Sequence, residues 1–173
     1  ILTTMDKAGK SQFLRLAMDD CAEAVRYGHD KLEHFEDGKL GAVFIADGFI
    51  TLDSGKTDAL VVEIRVYSGD VAKCQMVIPY RPANSKKGFA IHRPQVTELE
   101  NIEEAKFHPL MQAFYEGIEA HRQGSKIWDQ YYIDQVESDT SKIGRSDFNK
   151  QEWHALQLAP ALVLAILNED TDS

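Results

Sequence analysis

The chain has 173 residues, 43% hydrophobic and 27% charged, which is enough for one domain with a real core and too apolar for wholesale disorder. Its formal net charge of −9 argues against a general nucleic-acid binder, because affinity for phosphate comes mainly from Lys and Arg. The longest apolar run, Leu158 to Leu167, falls short of the roughly 20 residues a bilayer-crossing helix needs, so no membrane partner and a cytoplasmic location are expected.

The first residue is Ile1 rather than Met, which implies a trimmed, processed or incomplete start, with Met5 the nearest candidate initiator. Residues 1–10 are expected to be a flexible lead-in, 11–168 a single α+β domain, and 169–173 an acidic flexible tail. Residues 11–36 read as one long helix. Leu14, Met18, Cys21, Val25, Gly28, Leu32 and Phe35 alternate spacings of four and three and stack into one stripe, with Gly38 placed to end it. Gly28 leaves a gap in that stripe where a neighbour could approach closely.

Residues 41–94 switch to a two-residue period. "AVFIADGFITL" reads as two short strands about an Asp47-Gly48 turn, or one strand bulged there. In "ALVVEIRVY" Leu60, Val62, Ile64 and Val66 share one face, with Val61, Glu63, Arg65 and Tyr67 on the other. "VAKCQMVIPY" answers with Ala72, Cys74, Met76 and Ile78. A three-residue loop, 68–70, matches these faces and sets Tyr67 opposite Val71, Arg65 opposite Lys73 and Ile64 opposite Cys74. "GFAIHRP" is a further short strand limited by Pro94. An acidic segment, Glu98 to Glu104, follows. Pro109 then suits the first turn of a helix through about Gln123 with Leu110, Phe114 and Ile118 inward. Gly124-Ser125 breaks that helix and restarts it. Asn149 and Glu152 read as a capping box for a last helix, which Pro160 kinks or divides.

The fold expected is therefore α+β: a long N-terminal helix, an antiparallel meander of three to five strands, then two or three C-terminal helices packed on one sheet face. In the order of its elements this resembles small secretion chaperones and other dimeric α+β binding proteins, a likeness of topology that transfers no residue.

Three groups of residues are candidates for chemistry. In "GHDKLEHFED" His29 and His34 are five apart, about 140° around a helix, whereas zinc-protease helices space their histidines by four. No metal site is expected there; acid–imidazole pairs His29–Glu33 and Asp30–His34 are. Cys21 and Cys74 fall on expected buried faces, without zinc-ligand spacing, and read as free thiols. The third group is a charge asymmetry. Between Val71 and Thr97 there is no acid, but there are Lys73, Arg81, Lys86, Lys87 and Arg93. The loop "YRPANSKKGFAIHRP" is thus a candidate anion site, with Tyr80, Arg81, Lys86, Lys87, His92 and Arg93 as ligand-binding residues. His92 is the candidate acid or base, and no catalytic residue is otherwise assigned.

The function expected is a non-enzymatic, homo-oligomeric binding or protein-interaction module, a homodimer that engages a protein partner. The alternative is an enzyme or sensor for a small anionic ligand held by the basic loop 81–93. No cofactor, metal or nucleic-acid partner is expected.

Overall fold

The computed structural model describes residues 1–34, 38–52, 55–67, 70–103 and 106–133. Among these the order is β1 (Leu2–Asp6), β2 (Ser11–Leu14), α1 (Cys21–Glu33), β3 (Lys39–Leu52), β4 (Gly55–Val66), β5 (Ala72–Arg81), β6 (Ala90–His92), β7 (Gln95–Glu100), α2 (Phe107–Ala120), α3 (Arg122–Tyr131) and β8 (Tyr132–Ile133). The expected α+β arrangement, with its long first helix and short meander, does not form. The described residues are mostly β, an eight-stranded curled mixed sheet with three helices. The strands run β2-β1-β3-β4-β5-β6-β8, and β7 also pairs β5. All pairings are antiparallel except β6 with β8. The likeness to the helix-first chaperones goes with the arrangement it rested on.

The largest correction lies at the N-terminal end. Residues 1–10, expected as a flexible lead-in, contain β1, which pairs β3 from Leu2–Phe44 to Asp6–Lys39 and buries Leu2, Thr3 and Met5. Asp6 then closes a tight turn, its Oδ1 accepting the N–H groups of Ala8 and Lys10 at 2.9 Å each. The chain returns as β2, from Ser11 opposite Met5 to Leu14 opposite Leu2. The helix expected over 11–36 therefore begins only at Cys21. Asp20 starts it, its Oδ1 accepting the Ala22 N–H at 2.8 Å, which satisfies one of the first-turn donors that no helical carbonyl can reach. Residues 35–36 lie outside the described residues.

The central hairpin keeps the register read from its alternation, Arg65 opposite Lys73 and Ile64 opposite Cys74. Asp47-Gly48 is neither turn nor bulge. β3 passes straight through it, with Asp47 opposite Leu60 and Gly48 opposite Ala59, and the pairing with β4 runs on to Leu52 and Gly55. Tyr80 holds Asp47 in the sheet by donating its hydroxyl to Asp47 Oδ1 at 2.9 Å. Part of the acidic segment is strand as well. Residues 95–100 form β7, held on β5 by backbone pairing and by a Lys73–Glu100 ion pair of 2.9 Å.

Both sheet faces are covered. One carries Met5, Val43, Ile45, Val62, Ile64, Cys74, Met76 and Ile78, and packs with Leu110, Phe114 and Ile118 of α2 in the main core. The apolar stripe expected for that helix is the buried one. The helix breaks at His121 rather than at Gly124, because His121 Nδ1 accepts the Gly124 N–H at 2.9 Å and caps α3. The opposite face receives α1. Leu32 joins Leu2, Ala42 and Phe44 in a second cluster, which buries Glu63 and Arg65 on a face the sequence left open. Helices thus pack on two faces, not one. The expected last helix and the 169–173 tail lie outside the described residues.

Candidate functional site

The basic loop does not gather its candidates into one site. Tyr80 is buried, and its phenol is pushed well above its ordinary value, by burial first and by Asp47 and Asp58 next. Arg81 is buried too. Its Nε donates to the Gly88 carbonyl at 2.8 Å and its Nη2 to the Lys87 carbonyl at 3.3 Å, so it braces the loop from within. Lys86, Lys87 and Arg93 are exposed. His92 is 0% exposed, on β6 opposite Ile133 of β8. An acid or base must reach its substrate, and this imidazole lies inside the fold. The two hollows described below contain none of these six residues.

His29 lies in α1 and His34 caps its C-terminal end. His34 Nδ1 lies 3.2 Å from Asp30 Oδ1, the expected i,i+4 pair. His29 turns instead to the sheet, where its Nδ1 is 3.4 Å from Glu63 Oε1 and its ring meets Phe44 edge-on at 5.5 Å. Glu33, freed from His29, meets Arg65 at 3.2 Å. Arg65 also lies 3.4 Å from Glu63. These contacts form a small charged layer between helix and sheet. No group of three or more His, Cys, Asp or Glu among the described residues could hold a metal ion. Cys74 is buried as expected, but Cys21 is exposed at the start of α1, and both are free thiols.

Sequence reasoning missed a cleft. α1 lies over β3 and β4 and leaves the same face of β1 and β2 uncovered on its flank. The resulting cavity, about 440 Å³, has Leu2, Thr4, Gln12, Leu14 and Ala42 on the sheet side and Tyr27, Lys31 and His34 on the helix side, with Phe13, Lys39 and Tyr67 completing it. The pairing Leu14–Leu2–Phe44 and Gln12–Thr4–Ala42 sets the floor. Phe13 and Leu14 are 46% and 44% exposed, and Tyr27 stands exposed in the same lining. Every charged side chain in the lining is cationic or can become so: Lys31, Lys39 and His34. Lys39 Nζ donates to Gln12 Oε1 at 2.9 Å across the floor, and Lys31 lies over the Tyr27 ring at 5.7 Å. Tyr67 closes one end, donating its hydroxyl to the Leu32 carbonyl at 2.8 Å. Burial pushes that phenol up to about 12, opposed by Arg65 and helped by Glu33.

A smaller hollow of about 280 Å³ lies past Tyr67, lined by Glu33, Arg65, Asp70, Lys73 and Glu100 among others. Arg65 pairs there with Glu33 and Lys73 with Glu100, so Asp70 alone of its charges is outside those two pairs. The sequence did contain a signal for the cleft. Asp6 and Gly9 sit between two short runs of β-forming residues, "LTTM" and "SQFL", as in a hairpin.

No family model, no curated protein and no solved structure matches this chain. No helix among the described residues is long and apolar enough to cross a membrane.

Proposed function

We propose that the protein is a non-enzymatic binding or interaction module that takes its partner in the cleft between α1 and the β1–β2 hairpin. One observation carries the reading: a partly apolar cleft with a wholly cationic charged lining, on a chain of net charge −9. Exposed apolar residues gathered round a concave floor favour burial of apolar surface. Lys31 and Lys39 add attraction for negative charge. The fitting partner is apolar and acidic at once. The lining offers one imidazole, His34, which pairs with Asp30 at 3.2 Å, and no thiol.

Self-association through this surface is the second reading. The exposed side chains of Phe13, Leu14 and Tyr27 favour it, since interfaces concentrate aromatic residues.

The test uses 8-anilino-1-naphthalenesulfonate, a small apolar anion, titrated by fluorescence on the folded chain. Saturable binding is expected. It should weaken roughly fivefold in Lys31→Glu, the worth of one partly screened charge contact, and stay unchanged in Lys86→Ala/Lys87→Ala. Loss in the loop variant alone would move the site to residues 81–93, and no saturable binding would reject the cleft.

A further inference from the structure

We infer that the outer edge of β2 is a strand-addition site for an extended peptide of alternating acidic and apolar residues, whose acidic side chains lie over the cleft beside Lys31 and Lys39 and whose apolar side chains lie on the face of Phe13. This deepens the reading above and rests on it.

The directions of the backbone groups come first. Asp6 N–H donates to the Lys10 carbonyl at 3.0 Å, so these two residues form a bonded pair across the turn. In an antiparallel ladder bonded pairs recur at every second residue, and the residues between them turn their N–H and C=O outward. Thr4–Gln12 and Leu2–Leu14 are then the bonded pairs of the hairpin. The other side of β1 has the matching phase. Ile1 and Ile45 exchange two hydrogen bonds of 2.8 Å, which turns the odd-numbered residues of β1 toward β3. Ser11 and Phe13 therefore direct their N–H and C=O groups away from β1. Among the described residues β2 is the terminal strand of the sheet order, and all four of its residues are exposed.

Edges of this kind template another strand unless they are blocked. The usual blocks are a proline, a charged residue within the strand or a bulge. Ser11–Leu14 contains neither proline nor charge, and its pairing with β1 has no register shift. A peptide added here extends the face that carries Gln12 and Leu14, which is the cleft floor. Backbone bonds to Ser11 and Phe13 would supply affinity, and the cleft would select alternate side chains.

Charge selects the occupant. Lys10 immediately precedes the strand, and Lys31 and Lys39 line the cleft. Of the acids near the cleft, Asp6 is engaged by the Ala8 and Lys10 N–H groups of its own turn, and Asp30 pairs with His34 at 3.2 Å. An acidic peptide meets cations along its length. A second copy would instead bring its own Lys10 and Arg15, which flank the strand, to this edge, like charge against like charge.

The experiment uses the isotopically labelled full chain and three capped hexapeptides. These are Glu-Val-Asp-Val-Glu-Val, the same sequence with alternate backbone nitrogens methylated, and Lys-Val-Lys-Val-Lys-Val. The acidic peptide should bind saturably and slow amide exchange at Ser11 and Phe13 by at least about tenfold, leaving Gln12 and Leu14 unchanged. The methylated and basic peptides should not bind. Phe13→Pro removes an outward N–H while sparing the bonds to β1, and should abolish binding with the fold retained. Equal binding of the methylated peptide would overturn strand addition and leave the cleft reading standing. So would failure of every peptide on a chain that still binds the naphthalenesulfonate; failure of that probe as well would remove both. Protection of Ser11 and Phe13 that rises with protein concentration, without peptide, would assign the edge to a second copy and overturn the inference.

Discussion

Gly28 of α1 lies against the ring of Phe44 in β3 so closely that a methyl group in place of its hydrogen would overlap the ring, at 2.7 Å from Cδ2 and closer still to Cε2 and Cζ. The sequence marked Gly28 as a gap in an apolar stripe, and an aromatic side chain fills it. That contact sets how deeply α1 settles on the sheet, and hence how much of the β1–β2 face remains open as the cleft.

Gly28→Ala should therefore destabilise the protein, although alanine favours a helix over glycine by about 1 kcal/mol. Overpacking against a fully buried ring costs about 1–3 kcal/mol, so a net loss of up to roughly 2 kcal/mol is expected by urea denaturation. Phe44→Leu should cost less in the Gly28→Ala background than in the wild type. A Gly28→Ala protein more stable than the wild type would mean that α1 stands further from β3.

The charged layer under α1 gives a second test. The Glu63 and Arg65 side chains are 8% and 11% exposed and lie 3.4 Å apart, and Arg65 Nε is buried with no hydrogen-bond partner. Removing one member leaves the other charge buried, so Glu63→Gln should cost about 3 kcal/mol. Glu33→Gln, at a half-exposed position, should cost under ~1 kcal/mol. Glu63→Met/Arg65→Met should be close to neutral, because it removes the desolvation penalty along with the attraction. Chemical denaturation of the four proteins decides it, and a double variant worse than Glu63→Gln would refute the account.

The two thiols should behave differently. Burial pushes Cys74 from an ordinary value near 9 up to about 12, opposed by Arg65, whereas Cys21 is exposed. With Ellman's reagent at pH 8, Cys21 should react at once and Cys74 only when the fold opens. The folded state holds the Cys74 proton more tightly than the unfolded state does. This contribution is complete below about pH 9 and is lost as pH rises toward 12. The raised phenols of Tyr67 and Tyr80 begin to act only above their ordinary value of 10. Cys74→Ala should therefore flatten the fall in stability between about pH 9 and 10, whatever its effect on the baseline. Two thiols reacting at equal rates would contradict the burial of Cys74.

What the sequence determined by itself is the part whose partners are close along the chain. The alternation of Leu60 to Val66 and its echo from Ala72 to Ile78 admit one register across a three-residue loop, and the structure has it. Leu110, Phe114 and Ile118 likewise define a helical face through their own spacing. Leu14 shows where that logic stops. It continues the spacing of Met18, Cys21 and Val25 as well as any helical residue would. Yet it pairs with Leu2, because β1 lies on β3, some forty residues away in the chain. The same holds for Asp47-Gly48, a turn by local preference that two neighbouring strands keep extended. It holds again for β7, whose acidic residues show no apolar period and which β5 recruits through backbone bonds. A hydrophobic period reports the local geometry that a segment prefers, whereas a strand is completed by a partner that the segment does not encode. The cleft between α1 and β2 exists only once both are placed on the sheet, so it was the tertiary structure that decided where a partner could bind.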